Sequence, residues 1–202
     1  MRIPSFRAFL AVLAFVAVAP LPVTAGAVST TAATAAMPAH DPAKIAVVAQ
    51  ILDNLQTMKI AISAGQKSLL ADPTVARMSI PDQVLLSNLF ADEMTKRHDE
   101  MMNGLAADNS DRFTPEQLNN ILTYSRIGYV QALCLDAAGL APSPPDPSTM
   151  TTQEAQDFMT IGNADYTADF LGNFSFTAET AVVSEAVTAS IQRFVALRGA
   201  RG

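Results

Sequence analysis

Tryptophan is absent from this chain and cysteine occurs once, at Cys134. A lone thiol excludes an internal disulfide framework and any zinc site built from several thiolates. Basic residues are scarce as well. Thirteen Lys and Arg stand against 19 Asp and Glu, giving a net charge of −6 and an isoelectric point near 4.8. Nucleic acid and anionic lipid both reward clustered Lys and Arg, so neither suits this composition. No apolar run reaches the ~20 residues that a helix needs to cross a bilayer. Catalytic signatures are missing too: the sequence has no Gly-x-Ser-x-Gly elbow, no His-Glu-x-x-His, no Walker loop and no Gly-x-Gly-x-x-Gly turn. Histidine, the side chain that ordinarily titrates near neutrality, occurs twice, at His40 and His98. What is plentiful is apolar carbon, 50% of 202 residues, enough for one buried core.

The first segment is of a different kind from the rest. Arg2 and Arg7 flank a start without acids, and twelve apolar residues run from Ala8 to Ala19 before Pro20. With the small residues Ala25-Gly26-Ala27 behind it, this reads as a secretory signal peptide over 1–27, cleaved after Ala27 or after Ala25. No Cys stands at the cleavage point to carry a lipid. The expected product is periplasmic or extracellular, with no membrane span left after cleavage. Residues 28–40 are small, polar and without an apolar stripe, so a flexible leader is expected ahead of a single helical domain over 41–202.

From Asp41 the apolar period is helical almost everywhere, which predicts an all-α, irregular bundle of about five helices. Asp41-Pro42 is a cap and first turn, followed by Ile45, Val48, Leu52, Leu55, Met58 and Ile62, and this helix is expected to end near Asp72. A second starts at Ser79–Asp82, carries Leu86, Phe90, Met94 and Met101, and stops near Gly104. Asp92/Lys96, Glu93/Arg97 and Lys96/Glu100 are spaced as ion pairs on its solvated flank. The third opens on Thr114-Pro115-Glu116-Gln117, a capping box, and is expected to run to about Gly139. Four prolines in Ala141–Ser148 then exclude helix. The fourth opens on a second capping box, Thr151 with Glu154, and runs to Gly172; the fifth spans about Thr177 to Arg198.

Phe113, Thr114, Glu116, Leu118, Ile121 and Tyr124 resemble the hallmark of a widespread family of bacterial secreted domains of unknown function, Phe-Thr-x-Glu-Glu-Leu followed by an aliphatic and an aromatic residue. That family continues with Ser-Pro-x-Gly, where this chain has Ile127-Gly128-Tyr129-Val130. The resemblance covers about a dozen residues and implies an all-helical envelope protein, with no catalytic residue to carry over.

Three chemistries compete for the remaining residues. On a continuous helix, Met94, His98 and Met101 fall within about a 60° arc and would offer two thioethers and an imidazole to a soft metal such as copper; Lys96 and Arg97 beside them oppose a cation. Between Arg126 and Arg193 lie Asp136, Asp146, Glu154, Asp157, Asp165, Asp169, Glu179 and Glu185 with no base among them. This predicts an acidic face on which Asp157, Asp165 and Asp169 would dock a basic partner. An EF-hand does not fit, because Leu171 and Phe174 occupy its third and sixth positions. Glu154 and Asp157 are candidates for a carboxylate pair acting on cell wall or a small substrate. Cys134, between Leu133 and Leu135, reads as a small core hydrophobe. The sequon Asn173-Phe174-Ser175 matters only in a eukaryotic secretory route. The expectation is a non-catalytic binding or accessory protein of the bacterial envelope, needing no cofactor and engaging a protein or peptide; the alternatives are the carboxylate enzyme and the soft-metal binder.

Overall fold

A computed structural model describes residues 40–172 and 177–199. The expected signal peptide, residues 28–39 of the expected leader and the sequon lie outside the described residues. Among the described residues the chain is all-α, without strands, as its periodicity requires. The helices are α1 (Pro42–Asn54), α2 (Thr57–Ala71), α3 (Ile80–Lys96), α4 (His98–Ser110), α5 (Pro115–Ser125), α6 (Gly128–Ala137), α7 (Thr152–Gly162), α8 (Asp165–Gly172) and α9 (Thr177–Gly199).

Each of the first four expected helices is broken in two. The starts are where the caps place them. Asp41 accepts from the Ala43 amide at 2.9 Å, and Ser79 from the Asp82 amide at 3.4 Å. Thr114 exchanges bonds with Gln117 and Thr151 with Glu154, so both capping boxes are closed. The breaks fall where the sequence carries no proline. Gln56 takes a left-handed conformation (φ 61°, ψ 29°), and α2 leaves α1 at 60°. Arg97 (ψ 15°) separates α3 from α4, extended Ile127 (ψ 118°) separates α5 from α6, and Asn163 (ψ −2°) ends α7. Tertiary packing sets these bends. Short helices can each turn an apolar face to one core, whereas a single long helix would carry its far end into solvent. Residues 147–149 form a 3-10 turn inside the proline-rich linker, capped by Asp146.

α1 runs against α4 and α5, α2 against α3, and α9 along α3 and α4. Val48, Ile51 and Leu52 of α1 and Leu55 just after it meet Leu86, Phe90 and Met94 of α3, Met101, Met102 and Leu105 of α4, and Leu118 and Ile121 of α5 in one buried core. Gly65 is part of that fit: a Cβ there would lie 2.4 Å from Cζ of the fully buried Phe90, so the α2 backbone rides directly on the ring.

His40 belongs to this body rather than to the leader. Its Nδ1 bonds Asp111 Oδ2 at 2.7 Å, while Lys44 donates to the Phe113 carbonyl at 2.9 Å, so the start of α1 is pinned to the end of α4. At the opposite end of the same antiparallel pair, Asp53 of α1 meets His98 of α4.

Candidate functional site

The bend at Gln56 opens a corner between the end of α1, the first two turns of α2 and the start of α4. A cleft of about 510 Å³ fills this corner, a size suited to a small ligand or a few side chains. Met58, Ile62 and Leu140 give it an apolar floor, and Asp53, Gln56, Lys59, Ser63, Gln66 and His98 stand around it. Leu140 arrives because Gly139 (φ 69°) ends α6 in a left-handed turn, closed by Leu140 N–H to the Leu135 carbonyl at 2.8 Å. Gln66 is held by the Ser87 carbonyl at 3.2 Å.

His98 is the most constrained of these groups. Its Nε2 lies 2.8 Å from Asp53 Oδ1 and its Nδ1 lies 2.9 Å from Asp99 Oδ1. A neutral imidazole has one N–H, so only the imidazolium satisfies both carboxylates. The Asp99 and Asp53 carboxylates accordingly raise the His98 pKa above its ordinary value, against partial desolvation. Asp53, His98 and Ser63 share the cleft in the residue types of a hydrolytic triad, but the roles are wrong. With both ring nitrogens bound to carboxylates, none is left to accept a proton from a hydroxyl.

The soft-metal set is divided between two core methionines and a solvent-side imidazole. Its arc presupposed one helix, and the break at Arg97 removes that premise. Met94 and Met101 are 0% and 1% exposed, packed in the core as ordinary apolar side chains, while His98 faces solvent with both donors engaged. Among the described residues no group of three His, Cys, Asp or Glu side chains is placed to hold a metal. The acidic face is thinner than its sequence. Asp146 and Glu154 are spent capping, Asp157 accepts from Gln153 at 2.9 Å, and Glu185 pairs with Arg97 at 3.9 Å. Asp165 and Asp169 are exposed on α8, and the Glu179 side chain lies outside what is described. Glu154 also fails as a general acid, because hydrogen bonds from Thr151 lower its pKa where that role needs it raised. Cys134 is buried, and burial pushes its thiol up to about 12.

Sequence reasoning missed the other polar hub. Glu93 was expected on a solvated flank and is instead 6% exposed. Lys96 and Arg97 each reach its carboxylate at 2.7 Å, and so does Arg193 from α9. Hydrogen bonds from Lys96 and then Arg97 outweigh desolvation and hold its pKa at about 2. Asp92 lies 3.8 Å from the same Arg193, and Asp82 pairs with Arg198 further along. The four-residue spacing of Glu93 and Arg97 pointed to a pair; nothing local pointed to Arg193.

No family model, curated protein or solved structure matches the chain.

Proposed function

We propose that the chain is a non-catalytic binding or accessory protein of the bacterial envelope, exported by its N-terminal signal, and that the cleft between α1, α2 and α4 is its binding seat. The cleft itself carries this reading: an apolar floor of Met58, Ile62 and Leu140, ringed by one anion, two cations and amide donors, at a size typical of ligand sites. Such a lining fits an apolar side chain of a partner peptide, with Asp53, Lys59 and Gln56 placed around its backbone. No activated nucleophile or raised carboxylic acid accompanies it among the described residues, which favours binding over turnover.

A photo-crosslinking side chain substituted for the exposed Lys59, in cells exporting the protein, tests the seat. A discrete adduct is expected, absent when the same group replaces the exposed and remote Met159, and lost on filling the cleft with Ser63→Trp. Equal adducts at both positions, or none from position 59, would overturn the reading.

A further inference from the structure

The cleft shares its wall with a polar contact that joins the end of α1 to the start of α4. That contact is a cation clamped between two anions: Asp53 Oδ1 at 2.8 Å and Asp99 Oδ1 at 2.9 Å from opposite nitrogens of one ring. We propose that His98 is a proton-operated latch: protonated, it ties α1 to α4 and holds the cleft wall, and on losing its proton it releases one carboxylate and loosens the corner at Gln56.

The argument is one of donors. A deprotonated ring keeps a single N–H, so one nitrogen must turn a lone pair toward a carboxylate 2.8 or 2.9 Å away. That contact is repulsive, and relief requires the ring or the helix end to move. His40 at the other end of the helix pair is different in kind. Among the described residues it bonds Asp111 at 2.7 Å, a bond the neutral Nδ1–H tautomer satisfies.

The charges around His98 are few. Asp53 faces it from α1 and Asp99 from its own helix; Lys59 of α2 stands across the cleft. Lys96 and Arg97 at the end of α3 are turned to Glu93, and Glu185 of α9 is turned to Arg97. The α4 N-terminus disfavours a cation, and the nearby α1 C-terminus favours one, so the two helix ends oppose and the carboxylates decide. The sign follows. A histidine favoured in its charged form contributes fully below its unfolded pKa, near 6.5, and that contribution disappears as pH rises through the higher folded value.

The latch is tested without any ligand. Imidazole nitrogen shifts of the purified protein should show both His98 nitrogens protonated at pH 6. Amide protection factors over residues 53–58, corrected for base-catalysed exchange, should fall about two- to fivefold between pH 6 and pH 9, the scale of a partly exposed ion pair. His98→Gln should show the low protection at every pH, whereas His40→Gln should keep the pH response. Asp99 is 94% exposed, so Asp99→Asn leaves the fold intact and should lower the midpoint while Asp53 still holds the ring. A neutral His98 at pH 6, or protection indifferent to both pH and His98→Gln, would sink the latch. Its bearing on ligand affinity rests on the cleft being the binding seat. A working latch beside a cleft that yields no adduct from position 59 therefore refutes the seat alone, and adducts without a pH response refute the latch alone.

Discussion

Two polar hubs lie on either side of Arg97, and they are opposites. At Glu93 one anion is enclosed by three cations and sealed under α9; at His98 one cation is held between two anions in the open. Burial separates their roles. The Glu93 carboxylate is buried and its pKa is held at about 2, so it stays charged and joins α3 to α9 at every pH at which proteins ordinarily work. The open hub can exchange its partners for water, so each bond is weak and the protonation of His98 decides whether both form. Two ionic hubs centred five positions apart thus give a fixed joint and an adjustable one.

Removing the sealed anion should have the largest effect. Glu93→Ala leaves Arg97 and Arg193 facing each other under α9 and should cost about 3 kcal/mol in urea denaturation at pH 7, the lower part of the range because Lys96 and Arg193 can swing outward. Gly65→Ala probes the apolar packing of α2 on α3; forcing a methyl into the Phe90 ring should cost about 1–3 kcal/mol by the same measurement. Thr114→Ala should cost about 1 kcal/mol, since it opens the capping box that starts α5.

The pH response is smaller and separates the hubs by sign. Glu93 has a depressed pKa, so its contribution is full above about 4.5 and is lost as pH falls toward about 2. His98 has a raised pKa, so its contribution is full below about 6.5 and fades as pH rises past that value. Both act together only between those limits. A melting curve series from pH 2 to 9 should lose its acid limb in Glu93→Gln and its alkaline slope, about 1–3 °C, in His98→Gln. An alkaline slope that survives His98→Gln would erase the contrast.

The fold class and every helix start that carries a cap were readable in sequence, because Asp41, Ser79, Thr114 and Thr151 act on amides two or three residues away. The breaks at Gln56, Arg97, Ile127 and Asn163 were not. None is itself a glycine or proline, although Gly128 and Gly162 adjoin two of them, and apolar residues continue on both sides with helical spacing, so the period reports each segment and is silent on the bend between them. The cleft was hidden for the same reason, since it exists only because α1 and α2 diverge at Gln56. Its ionic pair joins residues 45 apart, and the Glu93–Arg193 pair joins residues 100 apart. Local spacing carries no information about either. The arc of Met94, His98 and Met101 was drawn on a helix continuous through Arg97, which the break there interrupts.

That separation of 100 residues sets an order of assembly. A chain emerging from its N-terminus can form α1 to α8 with the Glu93 carboxylate held only by its own neighbours, Lys96 and Arg97, its outer side unclosed. In a chain made from its N-terminus Arg193 is the last of these partners to emerge, so α9 is a bolt that can be drawn only after the other helices exist. A chain cut short before Arg193 would keep most of its core yet leave the door unbarred, and quality control by proteolysis would read that state as unfinished.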